Sequence, residues 1–385
     1  MSGSLTFNAV AEATPGAKWK ERWDWSWPAY EAWFTGRGGD DGPDRAACEA
    51  ALARHMPELV ETHARLADLA GGGDRAARFL SGWCPPAYLG GCTLAAQSRA
   101  GEVRLVRNYD LSPDLNEGLM LRSDWCRPVV GMVEFLWGLS DGINDAGLCI
   151  ALAYGGRGTT GRGFGITHIV RYLLETCDTV GEALRRLERL PSHMAYNLVL
   201  ADASGRVSSV ELYPGGGLHE MGPAIATNHQ HGTDPADRPA FTRTVERRDH
   251  VETLISADIA PAALADRFLD APLYQTNHAG GFGTLFTAEY DPSRRALRLL
   301  WPRDEWEQTL DAFDEGQRVI SYGAGRAPAD AVESWDWSDW AAFTPSDWVA
   351  FGMDFARRYA PEGTLDASAA ASEPVMRRDD PAARS

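Results

Sequence analysis

The feature that most constrains this chain is a strand–turn–strand pattern that occurs three times, at residues 92–110, 196–214 and 284–302. In the first, "CTLAAQS" and "VRLVRNYD" flank the turn "RAGE"; in the second, "YNLVLAD" and "RVSSVELYP" flank "ASG"; in the third, "TLFTAEY" and "RRALRLLWP" flank "DPS". Alternating apolar positions around Gly, Asp, Ser and Pro predict antiparallel hairpins. "GLCIALAY" at 147–154 predicts a further strand, and residues 165–191 carry helical periodicity up to a stop at Pro191. Hairpins mixed with long helices, rather than repeated strand–helix–strand units, predict a layered α+β fold.

Ahead of the first hairpin, residues 17–34 are strongly aromatic and residues 44–70 space their apolar groups three and four apart, which predicts a helical N-terminal segment over 1–91. The β-rich body then spans 92–360, one large domain with decorated ends, and the stretch 361–385, poor in large apolar groups, reads as a disordered tail. Trp19, Trp23, Trp25, Trp27 and Trp33 at the front, with Trp335, Trp337, Trp340 and Trp348 near the end, make nine of the 14 tryptophans. Rings of that size are costly to leave in water, so the two stretches are expected to pack on each other, and some of the rings to wall an apolar pocket.

A net charge of -17 and a pI near 5.0 remove any general attraction to phosphate backbones or anionic lipid. The start of the chain carries no basic region followed by an apolar core, and nowhere do eighteen apolar residues run together, so a cytoplasmic location with no nucleic-acid or membrane partner is expected. The six cysteines lie far apart without a CxxC pair and read as ordinary buried thiols, except for one.

That one is Cys92, which follows Gly90 and Gly91 and opens the first hairpin. A thiol becomes a useful nucleophile when a base takes its proton, and an N-terminal cysteine carries such a base in its own α-amine, which titrates near pH 8. The chain would have to break between Gly91 and Cys92. The thiol can do this itself by attacking the preceding carbonyl, moving the acyl group from nitrogen to sulfur and leaving a thioester for water to hydrolyse. Glycine suits the bond because it tolerates strained backbone and puts no side chain in the path of attack.

With "GGCT" come "RNYD" at 107–110, "GINDAGL" at 142–148, "YNLVLADASG" at 196–205 and "TNHQ" at 227–230. In their order and spacing these resemble the cysteine N-terminal-nucleophile (Ntn) amidohydrolases, nearest the autoproteolytic acyltransferases of the isopenicillin N acyltransferase type, with choloylglycine hydrolases and penicillin V acylases as relatives. The resemblance covers roughly residues 85–302. It implies a four-layer αββα sandwich and a reaction at the linear amide C–N bond of a small N-acyl compound, or with an acyl thioester, through a thioester on Cys92. It also implies that the two processed chains stay together as a heterodimer. Cys92 matches the nucleophile, Arg107 and Asp110 the charged pair of the neighbouring strand, and Asn144 and Asn228 the asparagines that hold an oxyanion or the α-amine. Arg107 would lower the thiol pKa, and Asp110 would orient the ammonium. A late arginine of the choloylglycine hydrolases finds no clear match among Arg294, Arg295 and Arg298.

Rival readings remain at this level. Cys84 in "GWCPPAY" is a second thiol, but the prolines spoil a strand start; Asn277 repeats the "TNH" of Asn228. His229, His231 and His278 lack the spacing of a metal site, and no cofactor is implied. The glycine-rich 155–165 reads as a mobile substrate loop. A papain-like enzyme would need one of His168, His193, His229 or His278, and an unprocessed protein of this fold would serve as a binding or biosynthetic scaffold.

Overall fold

The structure, a computed structural model, describes residues 3–88, 90–232, 242–278 and 282–322. The second tryptophan cluster and the tail at 361–385 lie outside the described residues.

The front segment contains α1 (Ala17–Gly36), α2 (Arg45–His55), α3 (Val60–Leu69) and α4 (Asp74–Ser81). Asp44 starts α2 by accepting the Ala47 N–H at 2.8 Å, and Pro57, which disfavours helix at the residue before it, separates α2 from α3. The expectation of an all-helical front is corrected by β1 (Gly3–Glu12), an edge of the chain that becomes an interior strand of the larger sheet. Its partners, β4 (Leu119–Ser123) in parallel and β16 (Gly316–Tyr322) antiparallel, are too distant in sequence for local pattern to reveal the pairing.

The larger sheet also holds β5 (Val129–Glu134), β6 (Gly138–Asn144), β7 (Cys149–Tyr154), β8 (Tyr196–Ala201), β9 (Val207–Leu212) and β10 (Leu218–Met221), in the order β10-β9-β8-β7-β6-β5-β4-β1-β16. The smaller sheet holds β2 (Gly91–Arg99), β3 (Glu102–Leu111), β11 (Ile225–Ala226), β12 (Thr276–Asn277), β13 (Phe282–Asp291), β14 (Ala296–Trp301) and β15 (Asp304–Thr309). All three expected hairpins are present: β2–β3, β8–β9 and β13–β14. The long helical run divides into α5 (Ile166–Thr176) and α6 (Val180–Leu187), because Thr179 caps a new N-terminus by accepting the Glu182 N–H at 3.3 Å.

Three apolar layers fix the stacking. Phe7, Met120, Val130, Met132 and Ile143 of the large sheet interdigitate with Leu94, Leu105, Phe286, Leu297 and Trp301 of the small one. The other face of the large sheet is covered by α1–α6, through Trp19, Leu52, Leu66, Leu80, Ile169 and Leu184 among others. The outer face of the small sheet is covered by α7 (Thr244–Ser256) and α8 (Leu264–Phe268), through Val251, Leu264 and Phe268 against Ala95, Val106 and Leu300. The architecture is a four-layer αββα sandwich. Among the described residues, no helix is long and apolar enough to cross a membrane.

Of the five front tryptophans, Trp19, Trp23 and Trp33 are buried, and the ring centroids of Trp23 and Trp27 stack 4.4 Å apart. Trp25 is 87% exposed on the outer side of α1, so it is not among the rings that could wall an apolar pocket.

Candidate active site

Cys92 is the second residue of β2, and its partner across the ladder is Tyr109 of β3. Because strand side chains alternate, this hairpin divides the site between two faces. Cys92 and Tyr109 belong to the core between the sheets, and Arg107 shares their face. The pairs Gly91–Asp110 and Thr93–Asn108 face α7 and α8, where Asn108 donates to the carbonyls of Phe268 and Leu273.

On the inner face, Arg107 Nη2 donates to Cys92 Sγ at 3.3 Å. Its Nη1 donates to Ser140 Oγ at 2.8 Å and pairs with Asp141 at 3.2 Å, and the guanidinium carbon lies 4.3 Å from the Tyr109 ring centroid. On the outer face, Arg247 from α7 reaches the same cysteine from behind. Its Nη1 donates to the Cys92 carbonyl at 2.7 Å and to Thr93 Oγ1 at 2.6 Å, and lies 3.4 Å from Asp110 Oδ2; its Nη2 donates to Asn228 Oδ1 at 2.9 Å. Thr284 donates its hydroxyl to Asp110 Oδ1 at 2.6 Å. Asn228 Oδ1 also accepts the Cys92 N–H at 3.0 Å, while its Nδ2 donates to the carbonyls of Gly90 and Tyr154 at 3.3 and 3.2 Å. The Cys92 nitrogen is therefore directed at Asn228.

These groups carry unusual electrostatics because all are buried. Burial pushes the Cys92 thiol up to about 11, against the pull of Arg107. Burial also raises Asp110, with Arg247 and Thr284 opposing it, and raises Asp141 against Arg107. Arg247 is lowered by burial and held up by Asp110. Glu134 at the end of β5 is pushed up to about 7 by burial, with Arg107 pulling the other way. It acts electrostatically on Cys92, Arg107 and Tyr109.

The two glycines before Cys92 differ. A Cβ on Gly91 would stand 2.4 Å from the Phe282 ring and 2.9 Å from the Asp110 carbonyl oxygen, whereas one on Gly90 would meet nothing within 4 Å. Neither has positive φ. Close approach, not strain, requires the glycine at 91.

Four of the five expected side chains converge, and Asn144 does not. Its Nδ2 donates to the carbonyls of Leu174, in the last turn of α5, and Cys177, just after it, at 2.8 and 2.7 Å, and its Oδ1 accepts the N–H groups of Ala146 and Leu148. Both amide protons are engaged, so Asn144 ties the β6–β7 turn to the end of α5. Of the two "TNH" asparagines, Asn228 is the one at Cys92; Asn277 sits in β12, paired with Phe282. Arg294, Arg295 and Arg298 form ion pairs with Glu307, Asp311 and Glu289.

The late arginine that the structure brings to Cys92 is Arg247. It lies in "TVERRDH", whose charged texture reads as a solvated helix face, and no sequence signal separates it from its neighbour Arg248. Asp141, Thr284 and Glu134 are likewise additions from the structure. His229 is held by Thr227 and Thr244 at 3.0 and 2.9 Å, and His278 by the Thr284 carbonyl at 2.9 Å. The principal electrostatic neighbours of Cys92 are Arg107, Asp110 and Glu134, with no histidine among them. Gly161 and Gly163 in 155–165 serve close packing: a Cβ on Gly163 would stand 2.3 Å from the Ser192 carbonyl carbon, and one on Gly161 2.4 Å from Gly215 N.

A buried thiol at the start of a strand, an arginine on its sulfur and two facing sheets between helical layers are the arrangement that the resemblance to the cysteine Ntn hydrolases implies. Residues 98–306 match the acyl-coenzyme A:6-aminopenicillanic acid acyl-transferase family, and the chain belongs to that family. It is thereby related to enzymes that make or break amides. A search of curated proteins returned no match. Among solved structures, the chain is similar to a mutant conjugated bile acid hydrolase from Clostridium perfringens (10% identity, 61% of this chain and 97% of that one, TM-score 0.41). It is also similar to penicillin V acylase from Agrobacterium tumefaciens (17%, 56% and 84%, 0.41) and to the Caenorhabditis elegans ortholog of N-acylethanolamine-hydrolyzing acid amidase (13%, 60% and 99%, 0.38).

Proposed function

We propose that the chain cleaves its own Gly91–Cys92 bond and that the freed Cys92 then carries acyl groups as a thioester, taken from the amide or thioester of a small N-acyl compound. The observation that carries this reading is the placement of Arg107 on Cys92 Sγ together with Asn228 on the Cys92 nitrogen. Sulfur and nitrogen, the two atoms between which an acyl group would move, each have a dedicated partner.

In the self-cleavage step, Sγ loses its proton and attacks the Gly91 carbonyl; the C–N bond breaks as the nitrogen gains a proton, and the Gly91 acyl group rests on sulfur. Water then releases the Gly91 carboxylate and the thiol. Arg107 favours the thiolate, which a thiol near 11 needs at neutral pH. Once free, the α-amine remains within reach of Asn228 and takes over as the base. Release of Gly90 also frees one Asn228 Nδ2 contact for an oxyanion, a donor worth roughly 3 kcal/mol in other enzymes. Asp110, anchored by Thr284 and Arg247, supplies the negative charge beside the new ammonium.

Intact-mass measurement of the purified protein tests this. Wild type should yield a chain beginning at Cys92, and Cys92→Ala should stay whole. A cleaved Cys92→Ala protein, or a wild type that remains whole and whose Cys92 takes no acyl group, would leave a binding or scaffold role instead.

A further inference from the structure

Self-cleavage and turnover pass through the same species, an acyl group on Cys92 Sγ. In the first case that acyl group is the chain itself, running back from the Gly91 carbonyl through Gly90 and Leu89 to Tyr88. Whatever holds Tyr88 thus holds the far end of the first acyl group the site ever carries.

Tyr88 is seated in a built recess. Its ring centroid lies 4.6 Å from that of Phe135 and 6.0 Å from that of Tyr196. Its hydroxyl oxygen accepts the Ile166 N–H at the start of α5, at 3.1 Å. Gly165 leaves room for that oxygen: a Cβ there would stand 3.3 Å from it. Neighbouring contacts link the recess to the nucleophile: Asn228 Nδ2 donates to the carbonyls of Gly90 and Tyr154, and the Tyr154 ring lies 6.2 Å from Tyr196. Tyr88 stands four positions before Cys92, a reach of at most roughly 14 Å.

We propose that the Tyr88 recess, lined by Phe135, Tyr196, Gly165 and the Ile166 N–H, becomes the acyl subsite of the processed protein once the freed last residues of the front piece, Tyr88 among them, withdraw from it, and that it selects acyl groups that end in a hydroxyaryl ring. This rests on the reading of Cys92 as an acyl carrier. The two aromatic walls favour a flat ring, and the helix N–H, otherwise an unpaired buried donor, favours an oxygen on it.

The test uses the processed protein and four thioester probes: acetyl, N-acetyl-Tyr-Leu-Gly-Gly, and the same peptide with Phe or Ala in place of Tyr. Cys92 Sγ displaces the probe's thiol, which leaves with the proton, and intact mass reads the rate of acylation. The Tyr probe should react about fivefold faster than Phe and more than tenfold faster than Ala. Gly165→Ala, whose backbone φ of -58° and ψ of 139° suit alanine, should bring the Tyr to Phe ratio close to one by crowding the hydroxyl. Equal rates for the three peptides, or an unchanged ratio in Gly165→Ala, would overturn the subsite. Failure even of the acetyl probe to acylate Cys92 would overturn the acyl-carrier reading beneath it.

Discussion

Arg107 and Arg247 approach one cysteine from opposite faces of a two-stranded ladder, and that arrangement explains why half of the site was legible in sequence. Cys92, Arg107 and Asp110 lie within a single hairpin, so their spacing along the chain already fixes their proximity. Arg247 comes from a helix 155 residues away from Cys92 and was invisible to any local pattern. Asn144 misled for a related reason: a Gly-Ile-Asn-Asp turn satisfies both catalytic and turn chemistry, and here the turn and the end of α5 claim all of its amide. Asn144→Ala should accordingly lower stability by about 2–4 kcal/mol, the cost of leaving buried carbonyls and turn N–H groups unpaired, and leave the acylation rate per folded molecule unchanged. Denaturant melts beside active-site titration decide it, and a stable but inactive variant would return Asn144 to the site. Glu134 contributes a pH dependence of stability. Its folded value near 7 exceeds the ordinary 4.5, so the folded chain keeps this proton longer than the unfolded one. Stability from this group therefore falls as pH rises from about 4.5 to about 7 and is level above that. Relative to wild type, Glu134→Gln should gain melting temperature through this window and no further beyond it; a difference independent of pH would remove Glu134 as its source.

At the scale of elements, the three hairpins were readable because each is closed by a short turn with its own sequence chemistry. The division of 165–191 was also written locally, at the N-terminus of α6, where Thr179 Oγ1 accepts the Glu182 N–H and Glu182 Oε2 accepts the Asp178 N–H, but the continuous apolar periodicity obscured it. β1 was not readable, since both of its partners lie more than a hundred residues downstream. The strand that matters most to function is β2, because the bond proposed to break lies within its first two residues, held in register against Tyr109 and Asp110. An alanine at 91 would press on the Phe282 ring and on the Asp110 carbonyl and push this end of β2 out of line, whereas one at 90 points into open space. Gly91→Ala should slow self-cleavage by about a hundredfold or more, a scale typical of ångström misplacement of reacting groups, and Gly90→Ala should process at close to the wild-type rate. Time courses on denaturing gels separate the two, and equal rates would show that space at 91 is not what the reaction needs.

At the scale of the whole molecule, cleavage after Gly91 would cut the chain through a fold that does not divide there. The front piece contributes β1 to the interior of the nine-stranded sheet, bonded to β4 on one side and β16 on the other. Its helices bury Trp19, Trp23, Trp33, Phe34, Leu52, Leu66 and Leu80 in the same layer as Leu121, Val129 and Ile150 of the large sheet. Trp19 also donates its indole N–H to the Leu136 carbonyl at 3.1 Å, and Trp137 donates to the Leu80 carbonyl at 3.0 Å, so polar contacts cross the boundary in both directions. Removing this piece would expose one face of the large sheet and leave two unpaired strand edges, a far larger loss than the freedom gained by an unlinked chain. The two products should therefore elute together under native conditions and separate only when the whole protein unfolds, with a single denaturation transition reported by both pieces. Trp19→Ala removes a fully buried ring and its hydrogen bond and should lower that common transition without changing where the chain is cut. Elution of the front piece by itself from processed wild-type protein would mean that the sheet tolerates the loss of β1, and that the body alone is the folded unit.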